Sequence, residues 1–117
     1  MVKNFNDIEA VQNPRFKGGE GEVLIRTAVA DGKVKIMQIT IPADATIGMH
    51  THNGNSEEIL IVQGRGHFIT GGLREDVHAG DAYYCSENST HTFINDGDGP
   101  VVFFAVVPEH RLTQENK

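Results

Sequence analysis

Two histidines and two glutamates lie within nine residues of the chain, in the order His-Thr-His-Asn-Gly-Asn-Ser-Glu-Glu at residues 50–58. His50 and His52 are two positions apart, and such side chains project from the same face of a β-strand. If His52 ends one strand and Glu57 begins its neighbour, a hairpin brings the carboxylate to the imidazoles. Neutral imidazole nitrogens and carboxylate oxygens are good ligands for divalent transition metals, so the pattern indicates a metal site.

A fourth ligand is expected from a neighbouring strand. His91 is the candidate, because it begins the strand-like segment His-Thr-Phe-Ile-Asn. Ligands that approach an ion from one side leave its other positions open to water or substrate. An ion held in this way can act as a Lewis acid, bind dioxygen or capture a ligand without turnover. The residues alone leave these alternatives open.

The segments that must position these side chains are predicted to be β-strands. No stretch between residues 22 and 107 sustains an apolar period of 3.6 residues, and runs rich in Val, Ile and Thr alternate with turns. Asp31–Gly32 is a strong hairpin signal, because glycine adopts positive φ without strain. About eight or nine such strands indicate an all-β sandwich or barrel. The clearest predicted strands are residues 22–30, 33–42, 57–63, 67–70, 73–77, 82–85, 91–95 and 101–107.

Two of these strands indicate which faces are buried. In residues 57–63, Glu57, Ile59 and Ile61 point one way and the alternate residues point the other way. Residues 101–107 are apolar at every position, which indicates that the outer face of this strand is covered as well. The cover is either the N-terminal arm or a second subunit, and we expect a homodimer.

The composition excludes several kinds of partner. The chain has 117 residues, 38% of them apolar and 22% charged, which fits one globular domain. A formal net charge of -6 provides no broad basic surface for nucleic acid or an anionic membrane. The single cysteine, Cys85, excludes an internal disulfide and fits a reducing compartment. No apolar stretch reaches the length of a membrane span, and the N-terminus lacks the apolar core of a signal peptide, so we expect a cytoplasmic protein.

The spacing of the candidate ligands resembles the first motif of the cupins. That motif is Gly, five residues, His, one residue, His, three or four residues, Glu, six residues and Gly. The chain has His50, His52, Glu57 and Gly64 at these spacings, and Asp44 stands where the motif begins with glycine.

The second cupin motif is also present, with two exchanges. It reads Gly, five residues, Pro, one residue, Gly, two residues, His, three residues and Asn, and it is matched by Gly80, His91 and Asn95. Ser86 replaces the proline, which leaves the turn less rigid. Asn88 replaces the glycine, and this exchange is mild because Asn is the commonest substitute for glycine at positive φ.

The resemblance covers residues 35–107 and implies a small single-domain cupin with an all-β jelly-roll barrel, the double-stranded β-helix. We expect an N-terminal arm at residues 1–21, the barrel at residues 22–108 and a polar C-terminal tail at residues 109–117. One divalent transition-metal ion is implied, which could be iron, manganese, zinc, nickel, cobalt or copper, because nitrogen and oxygen ligands do not distinguish them. The implied ligands are His50, His52, Glu57 and His91.

Glu58 is the rival carboxylate to Glu57. It precedes Gly64 by five intervening residues instead of six, and strand alternation turns it to the opposite face. Glu57 is therefore the preferred ligand.

Two functional hypotheses follow. The first is a metal-dependent enzyme acting on a small molecule in the barrel cavity, of dioxygenase, isomerase, decarboxylase or lyase type. No general base is evident, and a sugar phosphate would need a cation from Arg26, Lys35 or Arg65. The second hypothesis is a barrel that binds a small ligand or a metal without turnover.

The remaining chemically interesting residues are interpreted as structural. His67, His78 and His110 have no spacing partner and are expected at the surface or in turns, although His67 could face the cavity. Cys85 is expected to be a buried, inert thiol. Gln38 and Gln63 could be pocket groups or strand-edge residues. Aromatic side chains are expected mainly in the core, with some lining the cavity: Phe68, Tyr83, Tyr84, Phe93 and Phe103.

Overall fold

The computed structural model of the protein describes residues 1–110. Most of the predicted C-terminal tail, residues 109–117, therefore lies outside the described residues. In the described part, ten β-strands are accompanied by two short 3-10 turns, Phe5–Asp7 and Phe16–Gly18. No helix among residues 1–110 has the length and apolar character needed to cross a membrane. The strands are β1 (Val11–Pro14), β2 (Glu22–Ala30), β3 (Val34–Ile41), β4 (Thr46–Thr51), β5 (Glu57–Gln63), β6 (Arg65–Thr70), β7 (Leu73–His78), β8 (Ala82–Cys85), β9 (Thr90–Asn95) and β10 (Val101–Pro108).

The strands form two antiparallel sheets that enclose the core. The larger sheet has the order β1-β2-β3-β10-β5-β8, and the smaller has the order β4-β9-β6-β7. This arrangement is the all-β jelly roll expected from the sequence. The largest fully buried side chains come from both sheets: Phe68, Phe93, Phe103, Ile41 and Ile61.

Alternation along β5 decides which of its side chains reach the interior. Glu57, Ile59 and Ile61 are buried, whereas Glu58 and Leu60 are exposed, as the sequence predicts. Because a strand turns successive side chains to opposite faces, the same alternation that buries the isoleucines also turns the Glu57 carboxylate inward.

The N-terminal arm is part of the larger sheet, which the sequence did not predict. Its strand β1 pairs antiparallel with β2, with Val11 opposite Ile25. The preceding 3-10 turn folds over the outer face, where the Phe5 ring lies 5.2 Å from that of Phe104. The Arg26 side chain fastens this segment by donating to the Ile8 carbonyl at 2.9 Å. The arm therefore supplies part of the cover expected over the outer face of β10.

The expected hairpin between the strands of His52 and Glu57 is absent. The strand β4 pairs with β9 in the smaller sheet, whereas β5 pairs with β10 and β8 in the larger one. Residues 52–56 therefore cross from one sheet to the other. After β4 ends, the His52 backbone continues to bond the loop before β9, accepting from Asn88 at 2.7 Å and donating to Ser89 at 3.0 Å.

Two exchanged motif positions adopt the left-handed conformation that glycine favours. Asn88 has φ 68°, which fits the mild exchange predicted from the second motif. Asp44, which stands in place of the first motif glycine, has φ 67°. Asn and Asp tolerate this region because their short polar side chains can bond locally to the backbone.

Candidate metal centre

The side chains of His50, His52, Glu57 and His91 converge on one point between the two sheets. Nε2 of His91 lies 3.1 Å from Nε2 of His50 and 3.1 Å from Nε2 of His52. Oε1 of Glu57 lies 3.1 Å from Nε2 of His52 and 3.2 Å from Nε2 of His91. One potential ligand atom from each residue lies within 4.8 Å of all the others, so the four could hold a metal ion.

Both sheets contribute to this cluster. His50 on β4 stands directly opposite His91 on β9, so their convergence follows from one antiparallel pair. Glu57 begins β5 in the other sheet, opposite Cys85 on β8. His52 lies just beyond β4 in the crossing segment. The crossing segment therefore brings Glu57 to the histidines, although the predicted hairpin does not form.

Hydrogen bonds on the far side of two imidazoles orient them. His50 Nδ1 donates to the Gly48 carbonyl at 2.8 Å, which leaves its Nε2 as the unprotonated nitrogen of the neutral ring. His52 Nδ1 donates to Oδ1 of Asn55 at 2.8 Å. The Asn55 amide is oriented in turn, because its Nδ2 donates to Glu109 Oε2 at 2.9 Å. Such outer contacts fix the tautomer and the ring orientation of metal-binding histidines.

The donor set fits a cation. His52 lies between two acceptors, Asn55 Oδ1 and Glu57 Oε1, and its neutral ring can donate to only one of them. A proton or a metal ion between His52 Nε2 and the carboxylate would satisfy both contacts of His52. Glu57 Oε1 also lies 3.2 Å from His91 Nε2, the other group that can donate to it. Such compensation stabilises a buried carboxylate because there is little water to supply it.

The charge states of Glu57 and His50 at neutral pH suit a divalent ion, whereas the raised pKa of His52 favours a proton that the ion would displace. Burial would raise the pKa of Glu57, but hydrogen bonds from His52 and His91 outweigh it and lower the pKa to about 2. The hydrogen bond to Glu57 raises the pKa of His52. Burial lowers the pKa of His50 and keeps its ring neutral. An ionised carboxylate beside a neutral imidazole is the combination that transition metals bind.

An aromatic stack supports His91 from behind. Its Nδ1 lies 3.2 Å from the hydroxyl of Tyr83, which lies 2.5 Å from Thr70 Oγ1. The Tyr83 ring stacks on Phe68 with centroids 3.7 Å apart. Burial raises the pKa of Tyr83 to about 12, so the phenol keeps its proton at neutral pH. Strand alternation alone would place Tyr83 inside, but its contact with His91 has no signal in the sequence.

Glu109 and His110, the two residues after β10, hold the crossing segment in place. Glu109 accepts from Asn55, as described above, and His110 lies 3.0 Å from Ser56 Oγ and 2.6 Å from Glu87. Asn55 and Glu109 are 54 positions apart, so no local pattern could have predicted this contact. His110, expected at the surface or in a turn, lies in a bend and is half-buried.

The cluster lies in the wall of a cavity of about 600 Å³. Strands β2 to β6, β9 and β10 line it, together with the N-terminal arm and the crossing segment. Of the cations considered from the sequence, Lys35 lines this cavity, whereas Arg26 bonds Ile8 and Gln38, and Arg65 lies at a separate shallow depression. Lys17 in the arm also lines the cavity and was missed, because its segment carries no strand signal.

Other residues considered from the sequence lie away from the cluster. His67 is 6% exposed and bonds Asp96 at 2.7 Å, so its assignment to the surface is wrong. Tyr84 is 61% exposed and does not belong to the core, because alternation on β8 turns it outward while Tyr83 points inward. His78 is exposed, as expected. Cys85 is buried, and burial raises the pKa of its thiol to about 11, so a thiolate nucleophile is disfavoured.

Comparison with known proteins agrees with the fold and the motifs. A model of the cupin domain matches residues 37–107. An oxalate-binding protein of Thermotoga maritima is 27% identical over 112 residues, which cover 92% of this chain and 93% of the relative.

Solved structures give the same result. A protein of Thermotoga maritima described as a predicted oxalate decarboxylase superposes with a TM-score of 0.89 at 25% identity, over 93% of this chain and 99% of that chain. The cupin domain of Cnp3 from Schizosaccharomyces pombe superposes with a TM-score of 0.81 at 9% identity, over 99% of this chain and 79% of that chain. At such low identity the second likeness concerns the fold alone.

Proposed function

The chain belongs to the cupin family, and we propose that it is a metal-dependent enzyme acting on a small molecule inside the cavity. The observation that carries the proposal is the convergence of three imidazoles and a carboxylate in the wall of that cavity. The proposed metal ligands are His50, His52, Glu57 and His91.

The four distances of 3.1 to 3.2 Å between donor atoms are short enough for one ion to bind all four groups. Iron, manganese, zinc, nickel, cobalt and copper all accept nitrogen and oxygen ligands, so the donor set does not select among them.

The protein's own contribution to the reaction would be binding and exclusion of water. When bound, the ion would supply Lewis-acid polarisation of a substrate oxygen or a binding position for dioxygen. Among the described lining residues, the titratable groups other than the proposed ligands are Glu9, Lys17 and Lys35, all of them exposed. An acid or base acting on the substrate would have to come from these three or from solvent. Oxidative, isomerising, decarboxylating and lyase reactions remain the candidate classes.

The second candidate is a cupin that binds its ligand without turnover. The relative named as an oxalate-binding protein favours it, and so does the lack of a further buried acid or base among the described lining residues. Oxalate is also a reasonable first probe for either role, because a dicarboxylate can bind a metal ion through two oxygens.

A turnover assay distinguishes the two candidates. Untagged protein loaded with each metal in turn would be incubated with oxalate and a panel of small carboxylates, with and without dioxygen, beside His91→Ala. The enzyme proposal expects metal-dependent consumption of one compound, abolished in the variant. Saturable binding without any consumption would favour the binding module, and a dependence on dioxygen would select an oxidative reaction.

We also propose that the protein is a cytoplasmic homodimer. Leu60, Val62 and Tyr84 on the outer face of the larger sheet are 47%, 42% and 61% exposed, and neighbouring apolar side chains there are commonly covered by a partner. Sedimentation equilibrium would give the mass of the wild type and of Leu60→Lys. A dimeric wild type and a monomeric folded variant are expected, and a monomeric wild type would contradict the proposal.

A further inference from the structure

We infer that the ligand of this cavity joins a metal-binding oxyanion to an apolar body considerably larger than oxalate. The inference rests on the proposed function, since the oxyanion is taken to bind the ion held by His50, His52, Glu57 and His91. The inference concerns the apolar part of the ligand, which does not contact the metal ion.

The first argument is size. Oxalate has six non-hydrogen atoms, and even at the roughly 30 Å³ that a water molecule takes up in the liquid they would fill less than about 200 Å³. The cavity measures about 600 Å³. Pockets of about 300–1,000 Å³ are typical of sites for larger organic ligands, so oxalate alone would leave most of the space to water.

The second argument is the chemistry of the inner wall. Ile25 from β2, Ile39 from β3 and Ile47 from β4 line the cavity and are 9%, 2% and 5% exposed. Met37 lies beside them on β3 and is half-buried. An unbranched, polarisable Met side chain adapts to the shape of an apolar partner. The isoleucines are already covered, so the surface that hydrocarbon of a ligand would remove from water here belongs mainly to Met37, and a second carboxylate would gain nothing from it.

The third argument is the arm that borders the cavity. Val11 and Phe16 line it, and Val11 is 60% exposed, so apolar surface there remains available to a ligand. The arm lies so close to β4 that a Cβ atom on Gly48 would collide with the carbonyl oxygen of Lys17. The position of Lys17 on the same lining gives an anionic head group a cation to approach. The lining is therefore largely apolar, and its exposed charged groups outside the cluster are Glu9, Lys17 and Lys35.

Oxalate and two 2-oxo acids with tails of different length test the inference, because each chelates a metal through a carboxylate and an oxygen on the adjacent carbon. Calorimetry on the metal-loaded full chain would measure oxalate, pyruvate and 2-oxohexanoate. Burial of each methylene is expected to tighten binding about fourfold. The three additional methylenes of 2-oxohexanoate are thus expected to give it about 50-fold higher affinity than pyruvate.

A pair of matched variants localises the effect. Met37→Gln makes the inner wall polar at nearly constant length, and it is expected to reduce the advantage of 2-oxohexanoate at least fivefold while oxalate binding changes less than twofold. Met49→Gln is the control, because Met49 is 58% exposed and does not line the cavity. It is expected to leave both affinities unchanged.

The outcomes separate the inference from the proposed function. If oxalate binds the metal-loaded protein and tail length has no effect, the ligand is a small dicarboxylate and the inference is overturned while the proposed function stands. If the protein holds no metal, or if no chelating acid binds the loaded protein, the proposed function fails and the inference fails with it. A tail effect that persists unchanged in metal-free His91→Ala would also overturn it, since binding would then not involve the ion.

Discussion

Replacing Asn55 by alanine tests whether outer hydrogen bonds orient the proposed ligands. Asn55 accepts from His52 Nδ1 at 2.8 Å and donates to Glu109 at 2.9 Å. His52 is 8% exposed, so after the substitution water has poor access to the Nδ1–H group. The ring would be free to rotate, which would turn the Nε2 lone pair away from the cluster, or to change tautomer, which would place a proton on Nε2.

The expected loss follows from this geometry. Removing a partner that orients a metal-binding histidine typically lowers metal affinity 10- to 100-fold, or by about 1.4–2.7 kcal/mol. The metal-free protein also loses two hydrogen bonds and leaves a buried donor unpaired, which should reduce its free energy of unfolding by roughly 1–3 kcal/mol. The variant should therefore fold but hold its ion more weakly.

Competition with a chromophoric chelator would measure metal affinity for the wild type, Asn55→Ala and Asn55→Asp. Asn55→Asp keeps an oxygen acceptor for His52 and should retain most of the affinity, although its charge lies near Glu109. Asn6→Ala is the control for loss of an amide at an exposed site remote from the cluster. A folded Asn55→Ala protein with affinity within twofold of the wild type would refute the argument that Asn55 orients His52.

Three further perturbations test other parts of the account. Because hydrogen bonds lower the pKa of Glu57 from 4.5 to about 2, its contribution to the stability of the metal-free protein is complete above pH 4.5 and is lost as pH falls towards 2. Urea unfolding against pH should show a loss of at most about 3 kcal/mol in this window, and a much flatter profile for Glu57→Gln. Gly48→Ala should reduce the free energy of unfolding by roughly 1–3 kcal/mol, because its Cβ meets the backbone of Lys17, whereas Gly99→Ala has open space and should be nearly neutral in thermal unfolding. Cys85 should resist iodoacetamide in the folded protein and react only in denaturant, as mass spectrometry would record, because it is buried and burial raises the pKa of its thiol to about 11.

The features of the site that are close in sequence could be predicted. His50, His52 and Glu57 fall within eight positions, and the alternation of β5 is enough to turn Glu57 inward and Glu58 outward. Short runs of β-branched residues between turns identified the all-β fold, and the structure and its relatives confirm it. The role of these side chains as metal ligands remains a prediction.

Features that depend on distant contacts could not be predicted. The hairpin expected between His52 and Glu57 would need only local contacts. The backbone of His52 instead forms hydrogen bonds with Asn88 and Ser89, in the loop before β9. The strand β1 has only four residues, and its place in the sheet depends on pairing with β2. Asn55 finds Glu109 and His67 finds Asp96 only after the chain has folded, so no periodicity in the sequence marks either pair.

The metal content of untagged protein, measured by mass spectrometry of the elements, tests the central claim most directly. His91→Ala removes the imidazole that stands within 3.2 Å of the other three groups. His78→Ala removes an exposed histidine outside the cluster and serves as the matched control. We predict about one transition-metal ion per chain in the wild type and in His78→Ala, and almost none in folded His91→Ala. A wild type free of metal after growth in metal-supplemented medium, or a His91→Ala protein that retains its ion, would contradict the account.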